Sequence, residues 1–161
     1  MGDVPANSQS KPGSLQEITA ENLKSVLRLS VSEKQKKVYP RSNAYSIAEA
    51  HYPGDDDPVW LRAIYAGEEP VGLLMTSEAP QRGEYFLWRL MIDANHQRKG
   101  YGRRAVALLI ERIENSPNPR FLMTSHLKGD GDAGVFYEKL GFVYTGEILG
   151  DDDHLMRIDF G

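Results

Sequence analysis

The sequence predicts one α/β domain, with a mixed, mainly antiparallel sheet of about seven strands flanked by about four helices. Three observations carry this expectation. The apolar segments fall in the order strand, two helices, three strands, helix, strand, helix, two strands. Consecutive strand segments are joined by short turns containing glycine, such as Gly67-Glu68-Glu69 and Gln81-Arg82-Gly83, which marks antiparallel neighbours. The chain has 161 residues, of which 40% are hydrophobic and 26% charged, enough to bury one core, and it shows no internal repeat.

Residues 1–13 carry Gly, Pro, Ser and Asn with little that packs, and read as a disordered leader to a domain spanning 14–161. Residues 14–18 form a short strand segment. Thr19 then caps a helix that turns Leu23, Val26, Leu27 and Leu29 inward. Residues 42–51 form a second helix, closed by Tyr52-Pro53-Gly54. Segments 59–66 and 70–77 are a hairpin, and 84–93 is the strongest strand of the sequence. A polar stretch leads to Gly100-Tyr101-Gly102 and a helix running to about Asn115, with Ala105, Val106, Leu109, Ile110 and Ile113 as its inward stripe. Pro117 and Pro119 stop it. Residues 120–126 are a strand, 133–140 a short helix ended by Gly141, and 142–148 with 154–160 the last strand pair.

Several classes of function are excluded. No apolar run reaches the ~20 residues of a membrane helix, so no membrane span is expected. With no cysteine there is no disulfide framework, Cys-ligated metal or thiol nucleophile. The net charge of −4 argues against a nucleic-acid partner, because a basic face normally supplies that affinity. The first residues lack a basic-then-apolar targeting pattern, so a cytoplasmic location is the expectation. No His, Asp or Glu spacing matches a metal site, and none is assigned.

The segment 87–107 carries the chemistry. A strand leads through a basic loop into a Gly-x-Gly turn and an amphipathic helix, which together form an anion cradle. Glycine admits close backbone approach, and the new helix presents unpaired N–H groups at its positive dipole end. Arg98, Lys99, Arg103 and Arg104 add formal positive charge. A tight turn with solvated arginines is the plainer alternative, and the flanking charge and strand–helix setting favour a phosphate site. The Rossmann fingerprint is rejected, since the loop is long and the next strand, 121–126, bears no carboxylate.

Gln97-Arg98-Lys99-Gly100-Tyr101-Gly102 resembles the Gln/Arg-x-x-Gly-x-Gly/Ala signature of the GNAT superfamily of N-acetyltransferases, and Phe136-Tyr137-Glu138-Lys139-Leu140-Gly141-Phe142 resembles its second signature. The two occur in the family's order, and the resemblance covers roughly residues 14–160. Leu87-Trp88-Arg89-Leu90-Met91-Ile92-Asp93 and Thr145-Gly146-Glu147 are similar to the bacterial spermine/spermidine (diamine) acetyltransferase branch. The resemblance implies a GNAT-like fold with splayed central strands and acetyl-CoA as co-substrate. It implies that the main chain of Gln97, Arg98, Lys99, Gly100, Tyr101, Gly102 and Arg103 holds the CoA pyrophosphate, and that Met91 and Ile92 pair with the pantetheine arm. Tyr137 matches the family's general-acid tyrosine; its alternative is a half-buried packing residue beside Phe136. Trp88 stands where several relatives carry a carboxylate, and an indole accepts no proton. Glu84 is a candidate base acting through a water; the alternatives are an amine that loses its proton to solvent before binding, and Glu84 as an ordinary exposed strand-end acid.

Asp55, Asp56 and Asp57 lie before the sheet, where the family's acceptor sites are found, and are candidate substrate ligands together with Trp88. Solvated turns are the ordinary reading of such runs, preferred for Asp151, Asp152 and Asp153. His51, His96, His126 and His154 are dispersed and read as structural or surface residues, with His126 a weak candidate near the cofactor strand. The resulting expectation is an acetyl-CoA-dependent transferase acting on a primary amine of a small cationic acceptor, a polyamine being one such molecule. The alternatives are a non-catalytic acyl-CoA sensor, and acetylation of a protein or antibiotic amine. A homodimer is a further possibility that the superfamily resemblance raises.

Overall fold

Short turns dominate the middle of the chain, and they set a meander of antiparallel strands before any helix crosses over. The computed structural model describes residues 11–37, 41–54, 57–128 and 133–161, so Asp55 and Asp56 lie outside the described residues. The elements are β1 (Gly13–Gln16), α1 (Leu23–Leu27), α2 (Asn43–His51), β2 (Val59–Ala66), β3 (Glu69–Ala79) and β4 (Glu84–Ile92). Then follow α3 (Tyr101–Glu114), β5 (Phe121–Leu127), α4 (Gly134–Lys139), β6 (Val143–Leu149) and β7 (Asp153–Asp159). The seven strands form one sheet in the order β1-β2-β3-β4-β5-β7-β6. Every neighbouring pair is antiparallel except β4 with β5, which α3 connects as a crossover. The mixed, mainly antiparallel sheet is the predicted one.

Both faces of the sheet are covered. On one side α3 buries Ala105, Val106, Leu109 and Ile113 against Ile64, Leu74, Leu87 and Leu122. On the other, α1 and α2 close over Ala63, Leu73, Met75 and Met91. The centre of β3, buried at every residue from 71 to 76, therefore reads as a continuous apolar run rather than an alternating one. A polar device holds the outer end of α3. Arg112 grips the buried Glu78 carboxylate with two bonds of 2.7 and 2.9 Å, Thr76 donates to the same carboxylate at 2.7 Å, and the Trp60 ring lies under the guanidinium at 3.8 Å.

Two expectations change. The helix after β1 starts at Leu23, with Asn22 rather than Thr19 in the cap position. Asn22 Oδ1 accepts from the Thr19 amide at 2.8 Å, and its amide group donates to the Glu17 carbonyl and the Tyr65 hydroxyl. That Asx-type lock spends the first turn before the helix begins. At the start of the chain, ordered pairing begins ahead of residue 14. Gly13 pairs with Ala66, the Pro12 carbonyl accepts from Gly67, and the Lys11 amide donates to the Tyr101 hydroxyl.

Asn43 couples the two short helices to β4. It is 3% exposed, and its amide donates to the Val26 carbonyl at 2.9 Å and lies 3.7 Å from the Met91 sulfur. The Val26 carbonyl also accepts from the Leu29 amide at 3.2 Å, so Asn43→Ala removes a buried hydrogen bond without orphaning that carbonyl, and chemical denaturation should show a loss of about 0.5–1.5 kcal/mol. No change in stability would show that α1 and α2 are held by packing alone.

Candidate functional site

The site begins where a strand pairing ends. β4 and β5 are in register only from Glu84 opposite Phe121 to Leu87 opposite Thr124, although both strands continue. Beyond that point they part. On the other edge of β4, Met75 faces Arg89 and Thr76 faces Leu87, which leaves Trp88 as an extra residue. This bulge sits at the parting and sends Trp88 and Arg89 to the same face, where Trp88 packs on the α1–α2 core and Arg89 pairs with Glu49 of α2 at 2.9 Å. A cleft of about 1000 Å³ fills the opened space, lined by both strands, by the start of α3 and by α4.

Local geometry makes the α3 end of this cleft an anion cradle. Gly100 is the cap residue at φ 84°, left-handed backbone that glycine adopts without cost, and a Cβ there would meet nothing within 4 Å. Arg98 is also left-handed, at φ 63°. The first intrahelical bond runs from Arg104 N to Gly100 O at 3.0 Å, so the N–H groups of Tyr101, Gly102 and Arg103 precede the helical ladder. Arg98, Gly100, Tyr101, Gly102 and Arg103 all line the cleft. The Tyr101 side chain is core, 6% exposed, so this residue offers only its main chain. Gln97 serves as a brace, its amide donating to the Ile92 carbonyl at 2.9 Å. Lys99 is exposed and is not among the lining residues.

Ladder parity corrects the strand contribution. The Asp93 amide donates to Val71 at 2.8 Å, so Asp93, Met91 and Arg89 direct their main-chain groups to β3. Leu90 and Ile92 direct theirs to the cleft, and Gln97 takes the Ile92 carbonyl. The residue facing the opening beside Ile92 is therefore Leu90, not Met91. Only the bulge, which sequence did not show, fixes that parity.

Tyr137 lines the cleft from α4, 7% exposed, with its ring edge-on to Phe136 and Phe142 at 5.2 and 5.3 Å. Trp88 lines the opposite wall. Glu84 does not reach this site. It stands at the paired end of β4, four residues before Trp88 and so about 13 Å from it along the strand, and its carboxylate is held by Arg82 at 3.2 Å and Arg120 at 3.4 Å. Asp57 belongs to the same distant cluster, bonded to Arg82 at 2.9 Å. The Glu84 hydrogen bond and then the Asp57 charge hold the Arg82 guanidinium above its ordinary pKa.

Three residues that the sequence reads as structural or solvated, with His126 also a weak candidate near the cofactor strand, line the cleft: His96, held by Asp93 at 3.2 Å, with His126 and Asp153. His126 of β5 is 8% exposed and lines it close to Tyr137, with ring centroids 6.5 Å apart. Asp153 also lines it and accepts from the Ser125 hydroxyl at 3.1 Å. Strand alternation was the available signal for His126, two residues past the end of the β4–β5 ladder. Among the described residues no group of three or more His, Asp or Glu could hold a metal ion.

The family model described as acetyltransferase (GNAT) family matches residues 23–142. No curated protein matches the sequence. An acetyltransferase of Thermus thermophilus superposes with a TM-score of 0.73 at 19% identity, covering 94% of this chain and 99% of that one. The spermidine N-acetyltransferase of Vibrio cholerae, solved with CoA and spermine, gives 0.72 at 14% identity, with coverage of 91% and 95%. The PaiA N-acetyltransferase of Thermoplasma acidophilum, solved in complex with coenzyme A, gives 0.67 at 15% identity, with coverage of 92% and 99%. Identities this low show a shared fold. The family match spans most of the chain, and the chain belongs to the acetyltransferase (GNAT) family, whose members are acetyl-CoA-dependent N-acetyltransferases. The cleft residues fit that co-substrate, since the open face of Gly100 and the unladdered amides after it suit a diphosphate.

Two variants check these assignments. Gly100→Ala meets no atom but is strained by about 1–2 kcal/mol at a positive φ, and its methyl group enters the cradle. Calorimetry should show coenzyme A affinity falling about tenfold or more, beyond what that strain predicts for stability. Glu84→Gln should leave turnover within about twofold, whereas a general base there would cost about 10²-fold or more.

Proposed function

We propose that this protein transfers an acetyl group from acetyl-CoA to a primary amine of a small cationic acceptor by direct attack, with Tyr137 as general acid. The observation that supports this reading is the parting of β4 and β5 after Leu87 and Thr124, which opens the anion cradle and Tyr137 onto one cleft. Acetyl-CoA bound there would supply an activated acyl carbon. The amides of Tyr101, Gly102 and Arg103, with the Arg98 and Arg103 guanidiniums, would hold its diphosphate at the helix start. The main chain of Leu90 and Ile92 would align its amide-bearing arm along β4. Such alignment replaces a bimolecular encounter by an oriented one.

The amine nitrogen then forms the new C–N bond as the C–S bond breaks. A departing thiolate needs a proton, and a phenol held in a largely water-excluded pocket between Phe136 and Phe142 is suited to give it. Support for a cationic acceptor comes from Asp153, whose carboxylate lines the cleft among the described residues. Glu49 is neutralised by Arg89, and Asp57 faces Arg82, so acceptor recognition falls to Asp153 rather than to the run before β2. A polyamine satisfies this chemistry, as does any small molecule with a second cationic centre.

A thiol-release assay with acetyl-CoA and a panel of polyamines, amino acids, aminoglycosides and peptide amines tests the reading. Turnover should be fastest with small dications. Coenzyme A binding without turnover of any amine would instead identify an acyl-CoA sensor. Tyr137→Phe should lower kcat by about 10²-fold while leaving coenzyme A affinity within about threefold; equal losses would make Tyr137 a packing residue.

A further inference from the structure

An acceptor amine arrives mostly as an ammonium ion, because a lysine-like amine has a pKa near 10.4. Attack on a thioester requires the neutral form, and the nitrogen must also shed a proton as the amide forms. The position at which relatives carry a carboxylate is Trp88, which takes no proton, and Glu84 is pinned outside the cleft by Arg82 and Arg120. Among the described residues two imidazoles line the cleft; His96 is held at the cradle end by Asp93 at 3.2 Å and Glu69 at 3.4 Å, whereas His126 stands beside Tyr137.

We propose that His126 is the proton acceptor of the acetyl-transfer reaction and that the Tyr144 hydroxyl passes the proton to it. The inference rests on the acetyltransferase reading above. His126 lies two residues beyond Thr124, where β5 has left β4, so its ring stands at the wall of the opened space and not under the sheet. Its Nδ1 is 3.2 Å from the Leu127 carbonyl and its Nε2 is 2.9 Å from the Tyr144 hydroxyl. A carbonyl oxygen only accepts, so the proton of the neutral ring sits on Nδ1. Nε2 is then the basic nitrogen, and the Tyr144 hydroxyl donates to it. When Nε2 takes a proton the same bond reverses, with Nε2–H donating to the phenol oxygen. One neighbour therefore orients the ring in both protonation states, as a second partner commonly does for a working imidazole.

The proton balance closes within the site. The attacking nitrogen loses one proton to the Tyr144 oxygen, directly or through one water, as the Tyr144 O–H proton passes to Nε2 of His126. The C–N bond forms, the C–S bond breaks, and the sulfur takes a proton from the Tyr137 hydroxyl. This leaves an imidazolium and a phenolate whose ring centroids lie 6.5 Å apart, and return of the proton from His126 to Tyr137 restores both. No other reactant is consumed.

The groups around His126 come from four directions. Tyr137 faces it from α4 and Tyr144 from β6, with ring centroids at 6.5 and 5.7 Å. His154 faces it from β7 at 6.3 Å, itself bonded to Asp152 at 3.1 Å. Ser125 of β5 holds Asp153, and Lys128, just past the end of β5, places its ammonium over the Tyr144 ring at 4.9 Å.

The experiment compares the full-length protein with its His126→Gln and Tyr144→Phe variants in the thiol-release assay across pH, alongside calorimetric coenzyme A binding. An alkylamine and an amine of low pKa, already neutral across the range, serve as acceptors. The unsubstituted protein should show an acidic limb in kcat between about pH 5 and 8 with the low-pKa amine, where the acceptor itself no longer titrates. His126→Gln should abolish that limb and lower kcat about 10²-fold or more, with coenzyme A affinity within about threefold. Tyr144→Phe should lower kcat about tenfold and displace the limb, with coenzyme A affinity within about threefold. A kcat for His126→Gln within about threefold of the unsubstituted protein, or an unchanged limb, overturns the proposal and leaves the acetyltransferase reading intact. If His126→Gln loses coenzyme A binding, Tyr144→Phe decides, and an unmoved limb in that variant overturns the proposal. No turnover of any amine by the unsubstituted protein overturns both.

Discussion

The arrangement of this protein depends on one interrupted pairing. Two parallel strands hydrogen-bond for four residues and then separate, each with several residues still to run. An unpaired strand edge inside a protein is costly unless something satisfies its main chain. Here the exposed edge is the functional surface. Everything else in the site follows from where the strands separate: α3 starts beside the opening because it connects the two, and α4 covers it from the β5 side.

The bulge at Trp88 makes the separation possible without disturbing the rest of the sheet. β4 remains laddered to β3 through Met91 and Ile92 on its other edge, so it bends away from β5 while its opposite side stays fixed. The extra residue also moves Arg89 to the face of α2, where Glu49 meets it. The Arg89 Nε is buried without a hydrogen-bond partner, a sign that this guanidinium is held by position as well as by pairing.

Much of this was legible in the sequence because it is local. Ser42 caps α2 through the Tyr45 amide, glycines at 67 and 83 take the left-handed turns between strands, and Leu109 and Ile113 fall on the inward stripe of α3. The cradle at Gly100 was legible for the same reason: its spacing, its charge and its helix are contiguous. What sequence misplaced is what only pairing decides. Glu84 lies on the central strand but at its closed end, and the apparent acidic side of Asp57 turns out to face Arg82. His126, Tyr144 and Asp153 come together from three strands through the β5–β7–β6 order, and no sequence spacing announces that. The first helix begins one turn later than expected, at Leu23, although Leu23 N already donates to the Thr19 carbonyl at 2.9 Å.

The brace from Gln97 to the Ile92 carbonyl carries a consequence for what the opening admits. Of the four main-chain groups that Leu90 and Ile92 turn toward the cleft, one oxygen already accepts a bond and keeps a single lone pair. The edge is thus weighted toward hydrogen donation, and it suits a guest that brings carbonyl oxygens to it.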